Sequence, residues 1–533
     1  MQRVALTVSC VLLSLSTAAA APWAFSGTTA GEAYAGSGRL VVSADGLDVL
    51  RTLGEQGLRG ELRGSGSGWE GVLRADPGAR GALEGEQAQV LRVSVVPVDG
   101  GYRMAWTDAQ GARGEELWRP MLPAPQGLSP LAQDVFAQAI AAADAGNVPA
   151  ELIPSGGNGV AKLLLETGPE IFAGVRRLIA GAEHEVMLQS FLWGTPCQAG
   201  DAIFAGLKEL EARRRSEGAA APVRVFVVVN EHWTVRKNMT NLARDVAGAG
   251  LDPRYVELHT AGFAQRGLFG IVHTKACLVD GARAILTSAN VHPPQDAPDP
   301  WFELGYPLEG PVCAAMRAEY AQLWQRATGE PLPGAPPPLP AAVEGGVPVA
   351  LASKRAQGNP FAKRFAHPPR ESLVGAFRGA TRRIRILSPQ LNDRVLRAEL
   401  VAAAKRGVEV QLLLSKNKGN LRLRIPGQGG TVLRATRRLR EALEDDPAAL
   451  ARLDMRWWSR DGLVALEGDV GGANHAKYCT VDGELAIVGS TNHDVQSMKY
   501  SRELALLVAD PATVQAWDRQ VFEPGFARGV PVD

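Results

Sequence analysis

One eighteen-residue pattern occurs twice in this chain and restricts its fold more than any other feature. The first copy runs from His273 to Asn290 (HTKACLVDGARAILTSAN) and the second from His475 to Asn492 (HAKYCTVDGELAIVGSTN). Ten of the eighteen aligned positions are identical. A single His-x-Lys would carry little information, whereas two copies with matching Asp, Ser and Asn indicate an internal duplication. We therefore expect two similar halves.

Alternating strand and helix patterns precede both copies. Short apolar runs that alternate with amphipathic stretches are typical of a sheet covered by helices. Before the first copy the pattern predicts strands at 162–165, 185–191 and 223–229 and helices at 169–180 and 201–215. Before the second it predicts helices at 370–382 and 393–405 and strands at 384–387 and 408–414. The fold class expected is α/β, with two halves of the same design.

The rest of the chain divides around these halves. Residues 1–21 have a positive end, an apolar run and an Ala-rich close, which predicts a cleaved signal peptide and a secreted or periplasmic protein. Short apolar runs separated by Gly predict a small β-rich domain over 22–125. The remaining boundaries are a linker with a helix at 126–160, the first half at 161–330, a Pro-rich linker at 331–365 and the second half at 366–530.

Each copy of the motif is predicted to form a strand, a tight turn and a second strand. Residues two apart in a strand share a face, so the His and Lys of each copy point the same way. The dipeptides Asp280-Gly281 and Asp482-Gly483 are hairpin-turn sequences, and we interpret the two Asp residues as turn formers. If the halves pack about a pseudo-twofold axis, both His, both Lys and both Asn can face one cleft.

The residue types in that cleft suit a phosphate. Clustered carboxylates for a divalent metal are absent from the motifs, and the Cys residues are too scattered for zinc, so we expect neither a metal nor a cofactor. Two Lys charges and two Asn amides provide donors for an anion. One imidazole can attack phosphorus while the second, protonated, donates to the leaving oxygen. A phosphodiester can thus be cleaved in two displacements.

The duplicated HxKxxxxD motif with its GSxN-type extension resembles the phospholipase D superfamily over roughly residues 160–525. The resemblance implies two α/β sandwich halves around a pseudo-dyad and a phosphohistidine intermediate. By analogy, His273 is the nucleophile and His475 the acid. Phosphate binding is assigned to two Lys and two Asn residues, Lys275, Lys477, Asn290 and Asn492, and also to Ser288 and Ser490, for which shaping the strand is an equal alternative. A Glu beyond each motif, Glu303 or Glu503, would orient a catalytic His, with an ordinary charge at the strand edge as the favoured alternative.

The leading interpretation is a phospholipase D that hydrolyses the distal phosphodiester of a glycerophospholipid to phosphatidic acid, or transfers the phosphatidyl group to an alcohol. The alternatives are a cardiolipin synthase-like phosphatidyltransferase, a secreted nuclease and a non-catalytic phosphate-binding module. The chain carries 57 basic and 56 acidic residues, which argues against nucleic acid. We expect a monomer with a phospholipid substrate; contact with a membrane surface stays open.

Three further features were interpreted as structural. His292 and His493, just after the motifs, are expected to be solvated loop residues. Cys277 and Cys479 are expected in the core, with a link between them left open. The arginine-rich stretch 422–440 is interpreted as a solvated helix face balanced by Glu441, Glu444, Asp445 and Asp446, with an anionic lipid surface or nucleic acid as the alternative.

Overall fold

The computed structural model describes most of the chain beyond residue 22, and the predicted signal peptide lies outside the described residues. The described ranges are 23–29, 32–42, 47–53, 56–65, 68–75, 90–98, 101–120, 122–232, 237–265, 269–296, 298–334, 337, 339–359, 366–417, 428–460, 463–464, 466–467 and 472–532. They form two compact units. The first extends to Leu122 and includes Pro331–Leu339; the second comprises Pro123–Glu330 and Pro340–Asp533.

The first unit is a closed barrel of antiparallel strands. Each strand pairs with the next along the chain, and β8 pairs with β1 to close the ring. The strands are β1 (Trp23–Thr29), β2 (Glu32–Val42), β3 (Leu47–Leu53), β4 (Gln56–Ser65), β5 (Gly68–Ala75), β6 (Leu91–Val98), β7 (Gly101–Thr107) and β8 (Arg113–Pro120). Its interior is filled by every second residue, as Leu91, Val93 and Val95 of β6 illustrate. This confirms the β-rich prediction.

The second unit contains the remaining strands and the helices. The strands are β9 (Pro154–Val160), β10 (Leu165–Thr167), β11 (Glu185–Ser190), β12 (Val223–Asn230), β13 (Val256–Phe263), β14 (Ala276–Val279), β15 (Arg283–Thr287), β16 (Phe302–Glu309), β17 (Val347–Lys354), β18 (Arg383–Ser388), β19 (Glu409–Leu414), β20 (Lys416–Asn417), β21 (Leu453–Trp457), β22 (Ser459–Arg460), β23 (Leu463–Val464), β24 (Leu466–Glu467), β25 (Tyr478–Val481), β26 (Leu485–Gly489), β27 (Glu503–Val508) and β28 (Val530–Pro531).

The α-helices follow the same alternation. They are α1 (Pro130–Ala141), α2 (Gly168–Ala180), α3 (Gln198–Ser216), α4 (Asn238–Ala249), α5 (Val312–Thr328), α6 (Pro368–Gly379), α7 (Arg394–Lys405), α8 (Val432–Glu441), α9 (Pro447–Leu450), α10 (Pro511–Trp517) and α11 (Glu523–Arg528). Short 3₁₀ segments occur at Ala143–Ala145, Ala150–Leu152 and Pro293–Gln295, and π-helical turns at Gln496–Tyr500 and Asp518–Phe522. None of the helices in the described part of the chain has both the length and the apolar character needed to cross a bilayer.

One continuous sheet runs through both halves. Its order is β13-β12-β11-β14-β15-β16-β9-β17-β27-β26-β25-β18-β19-β21-β28, with β10 paired to β16. Six strands of the first half lie in the order β13-β12-β11-β14-β15-β16. Their six counterparts in the second half lie in the reverse order, β27-β26-β25-β18-β19-β21. In each half three parallel strands adjoin the antiparallel motif hairpin. The expected pseudo-twofold α/β arrangement is therefore confirmed.

Helices cover both faces of the first half because its strands are apolar on both sides. In β12, Val225 and Val227 belong to the core with α2 and α3, while Phe226 between them packs against Trp324 of α5. Local sequence fixes where helices begin. Thr167 accepts a hydrogen bond from the N–H of Glu170 at the start of α2, and Asp393 accepts from two N–H groups of α7.

Three sequence expectations differ from the structure. The Pro-rich linker expected at 331–365 contains β17, which pairs with β9 and β27 in the main sheet. The strand expected at 162–165 is wrong, since β10 covers Leu165–Thr167 instead. Residues 126–160, predicted as a linker with a helix, contribute directly to the second unit. Helix α1 packs on α6, and β9 pairs with both β16 and β17 at the centre of the sheet.

Candidate active site

The Asp-Gly dipeptides form the turn of each motif hairpin. Asp280 and Asp482 have φ of 53° and 55°, and the glycines that follow them have φ of 61° and 68°. Two successive residues with positive φ form the centre of a type I′ turn, which is closed by hydrogen bonds from the N–H of Ala282 to Val279 and from the N–H of Glu484 to Val481, both 3.0 Å. The sequence Asp-Gly accommodates this backbone because Gly has no Cβ and Asp tolerates the left-handed region.

The Asp carboxylates also fasten each hairpin to the neighbouring strand. That of Asp280 accepts hydrogen bonds of 2.7–3.0 Å from the N–H groups of residues 183, 184 and 185, where β11 begins. Asp482 accepts from the N–H groups of residues 381, 382 and 383, where β18 begins, and from the hydroxyl of Thr381. Both Asp side chains lie at the turn, and their carboxylates accept hydrogen bonds from the start of the neighbouring strand.

The motif His and Lys residues lie just before the hairpin strands. They were expected within the first strand, and Ser288 and Asn290 within the second, but β14 begins at Ala276 and β15 ends at Thr287. The reason is that residues 272–274 pair elsewhere. Val272 forms an isolated parallel bridge with Arg502.

These isolated bridges join each motif to the opposite half. The N–H of His273 donates to the carbonyl of Arg502 at 3.0 Å, and the N–H of Arg502 donates to Ile271 at 2.7 Å. The second copy repeats the arrangement, since the N–H of His475 donates to Phe302 at 2.9 Å. Each His is therefore held beside the residue that directly precedes the Glu of the other half.

The result is a crossed pair of His–Glu contacts. Nδ1 of His273 lies 3.0 Å from the carboxylate of Glu503, and Nδ1 of His475 lies 2.8 Å from Oε1 of Glu303. Because the carboxylate accepts the Nδ1 hydrogen, each ring presents Nε2 as the free nitrogen. The resemblance implied that these Glu residues orient histidines; the structure shows that neither half supplies a complete pair by itself.

Each Glu is fully buried and receives further donors from its own half. Glu303 accepts from the Ser288 hydroxyl and from Nε2 of Gln295 at 2.8 Å. Glu503 accepts from the hydroxyls of Ser490 and Ser497, both at 2.6 Å. Gln295 and Ser497 were missed in the sequence, although each lies five residues after its motif Asn.

Of the two roles left open for Ser288 and Ser490, this network favours the structural one over phosphate binding. A hydroxyl has one hydrogen, and in both residues it is directed to the Glu carboxylate. The hydroxyl oxygens also accept from the N–H groups of Leu304 and Leu504, at 2.9 Å and 3.0 Å. The geometry therefore gives both serines a positioning role and leaves them no donor for a substrate.

Burial and contacts within the network determine the pKa values of its ionisable groups. Burial by itself raises the pKa of Glu303, but the contacts with His475, Lys477 and Ser288 outweigh it and hold that pKa at about 2. Burial lowers the pKa of both His273 and His475, against the opposing effect of each Glu partner. In the free site both rings are thus neutral beside ionised carboxylates.

The two lysines lie among these groups. Each ammonium donates to the carbonyl of the His in its own motif, and Lys275 also lies 5.3 Å from the ring centre of Phe191. Burial lowers the pKa of Lys275 to about 7. Lys477 lowers the pKa of His273, and Lys275 lowers that of His475. The charge of each lysine therefore acts on the imidazole of the opposite half.

The motif asparagines provide further polar groups. The side-chain oxygens of Asn290 and Asn492 are buried and have no hydrogen-bond partner among the described residues. A buried amide normally has a partner, so an unpaired one beside a binding site is suited to a ligand. An amide oxygen accepts hydrogen bonds and cannot donate to a phosphate, so these two oxygens suit a hydroxyl of the ligand. Phosphate binding through the amide N–H groups, which the resemblance implies, stays a prediction.

Aromatic rings and a third histidine complete the surroundings. The rings of Phe191 and Trp301 lie 5.2 Å and 5.3 Å from those of His273 and His475. The ring of His292 contacts the ring of Trp301, and its Nε2 lies 3.3 Å from Nε2 of Gln295. The expectation that His292 and His493 are solvated is wrong, because they are only 7% and 2% exposed.

Two other expectations concern cysteine and metal. Cys277 and Cys479 are buried on the hairpin strands as predicted, and both are free thiols. Across the described ranges no cluster of three or more His, Cys, Asp or Glu residues is arranged to hold a metal ion.

Known proteins resemble this chain in sequence. A family model described as "Cardiolipin synthase, PLD-like domain" matches residues 373–523, which include the second motif copy. Cardiolipin synthase A of Pseudomonas syringae pv. syringae (strain B728a) is 26% identical over 424 residues, 76% of this chain and 76% of that protein. That of Pseudomonas entomophila (strain L48) is 25% identical over 403 residues, 74% and 73% of the two chains.

A third relative matches a shorter region. Cardiolipin synthase A of Serratia proteamaculans (strain 568) is 27% identical over 248 residues, which is 45% of this chain and 44% of that protein. The match therefore spans less than half the length of the Serratia protein. Together with the duplicated motif and its folded geometry, these similarities point to a single superfamily.

Proposed function

Because this chain belongs to the phospholipase D superfamily and is an enzyme of that group, we propose that it is a phosphatidyltransferase that moves a phosphatidyl group from one phospholipid to an alcohol acceptor. The observation that carries the proposal is the crossed His–Glu arrangement, in which two imidazoles with free Nε2 atoms share a site with two lysines. The names of the relatives favour transfer to a second phosphatidylglycerol, which would give cardiolipin, over the hydrolysis that the sequence first suggested.

In the first step Nε2 of His273 attacks the phosphorus of the bound phosphodiester. The bond from phosphorus to the departing alcohol breaks, and Nε2–H of His475 gives its proton to that oxygen. The product is a phosphatidyl group on His273 and a free alcohol. His475 needs a second proton for this step. A bound anionic phosphodiester favours its uptake, and Glu303 stabilises the resulting imidazolium.

In the second step the acceptor alcohol takes the place of the departed one. His475 removes the proton from its hydroxyl, the oxygen attacks phosphorus, and the bond between phosphorus and Nε2 of His273 breaks. Lys275 and Lys477 stabilise charge on the non-bridging oxygens in both steps. Water in place of the alcohol gives phosphatidic acid, so transfer and hydrolysis differ only in the acceptor.

Product analysis tests the proposal. The full chain would be incubated with phosphatidylglycerol vesicles, and lipid products followed by mass spectrometry. We expect cardiolipin and free glycerol, lost in His273→Ala and His475→Ala and retained in His184→Ala, which changes an exposed histidine outside the site. Phosphatidic acid as the sole product would show that the enzyme is a hydrolase and would refute the transferase proposal. Near-wild-type activity in either site variant would refute the two-histidine mechanism.

A further inference from the structure

Helix α8 presents a row of arginines on its exposed side. Its buried residues are Val432, Ala435, Thr436 and Leu439, on the side that faces the rest of the second half. Arg434, Arg437 and Arg438 lie on the opposite side and are exposed. Leu433 lies beside them with 42% of its surface exposed. We call these four residues, together with Arg397 of α7, the arginine face.

Acidic residues follow the arginine face along the chain at Glu441, Glu444, Asp445 and Asp446. Among the described residues no ion pair joins a carboxylate to Arg434, Arg437 or Arg438, whereas many other surface arginines of this chain are paired. Glu441 ends the same helix, and within the described ranges its carboxylate forms no ion pair either. A set of like charges that repel one another and form no ion pairs is stabilised by an anionic partner.

The positive charges of Arg434 and Arg438 also act on Arg397. The residue is 7% exposed, and its guanidinium donates to the carbonyl of Asn392 at 3.2 Å. Burial, followed by the charge of Arg438, lowers the pKa of Arg397; Asp393 opposes the change and Arg434 adds to it. A nearly buried guanidinium beside two exposed ones favours a multivalent anionic surface over a single counterion.

The arginine face is connected to the active site through Asn392. The amide of Asn392 donates to the carbonyls of Gln428 and Gly430 at 3.0 Å and 2.7 Å, which fixes the turn that enters α8. Its oxygen accepts from the N–H of Val495, and its own N–H donates to the carbonyl of His493. One buried side chain therefore links the start of α8 to the residues that follow the second motif.

We propose that the arginine face binds the anionic phospholipid headgroups of a bilayer surface and so brings the active site to lipid. The proposal rests on the proposed function, because a phosphatidyl donor is presented by a membrane. Charge complementarity supports the partner, and the exposed Leu433 between arginines supplies an apolar contact that suits an interface. The near-zero net charge of the whole chain favours a local anionic contact of this kind over general binding to nucleic acid.

Vesicle sedimentation of the full chain tests this surface. We expect binding to vesicles of phosphatidylglycerol in phosphatidylcholine, little binding to phosphatidylcholine alone, and weaker binding in 0.5 M salt. The triple variant Arg434→Gln, Arg437→Gln, Arg438→Gln should bind roughly a hundredfold more weakly, since each arginine near an anionic surface contributes about fivefold. Leu433→Ser should weaken the binding that persists at high salt.

A matched variant controls for net charge. Arg176→Gln, Arg254→Gln, Arg378→Gln removes the same number of charges from arginines with surface ion pairs and should bind as wild type. Equal loss in both triple variants, or equal binding to neutral and anionic vesicles, would overturn the proposal. So would arginine-dependent binding of single-stranded DNA without vesicle binding.

Activity separates this proposal from the proposed function. The arginine-face variant should keep wild-type turnover on a short-chain phosphatidylglycerol dissolved as monomers and lose it on vesicles. Equal loss on both substrates would mean a damaged site and would refute the docking role. Arginine-dependent vesicle binding by a chain that transfers no phosphatidyl group would instead refute the proposed function and leave the lipid-binding surface standing.

Discussion

Replacing Glu303 by Gln removes the charge that faces His475 while preserving the size of the side chain. The pKa of Glu303 is held at about 2 instead of its ordinary 4.5. Burial opposes this shift, contacts with His475, Lys477 and Ser288 share in it, and one hydrogen bond between a carboxylate and a charged partner typically contributes about 1.5–3 kcal/mol. His475 gains positive charge when it takes the proton of the acceptor, so most of this stabilisation is needed in the transition state. Its loss predicts a fall in kcat of about a hundredfold.

The assay is kcat at saturating phosphatidylglycerol for wild type, Glu303→Gln and Glu309→Gln. Glu309 is the exposed last residue of the same strand, β16, so its variant removes an equal charge outside the network. We expect Glu309→Gln to match wild type. A Glu303→Gln enzyme within threefold of wild type would refute the reasoning that the carboxylate stabilises a charged His475.

Three further predictions concern other parts of the site. Ser497→Ala removes one donor to Glu503 and should lower kcat about tenfold while leaving KM nearly unchanged; a change in KM alone would contradict a positioning role. The pKa of Lys275 is lowered to about 7, so deprotonation above that pH should raise KM, and a KM that stays constant to pH 9 would contradict phosphate binding by its ammonium. Asp482→Asn should cost about 2 kcal/mol in urea unfolding at pH 7, because the carboxylate accepts four hydrogen bonds. Burial raises the pKa of Asp482, but those donors outweigh it and leave it lowered, so the stabilisation is present at neutral pH and should be lost as pH falls through the folded-state pKa.

The sequence predicted the features that depend on local pattern. Alternating strands and helices and the Asp-Gly turns follow from residues close together in the chain, and the duplication follows from comparing two such local patterns. The buried Cys277 and Cys479 follow from the apolar strands that contain them. Such features are encoded within a few residues and can be read without knowing how the halves meet.

The crossed network could not be predicted in this way. His273 and Glu503 are joined because Val272 pairs with Arg502, and no local signal specifies a backbone bridge between such distant segments. The same long-range packing buries His292 and His493, although their positions in the loops just after the motifs predict solvated side chains. It also directs the Ser288 hydroxyl to Glu303, a partner that strand periodicity does not reveal.

Nitrogen NMR of selectively labelled histidine tests the crossed arrangement most directly. Side-chain ¹⁵N signals of His273 and His475, assigned from His→Gln variants, would be recorded in wild type, Glu303→Gln and Glu503→Gln. The structure predicts that Glu303→Gln changes the signals of His475 and that Glu503→Gln changes those of His273. Changes confined in each case to the histidine of the same half would contradict the shared site on which the two-histidine mechanism depends.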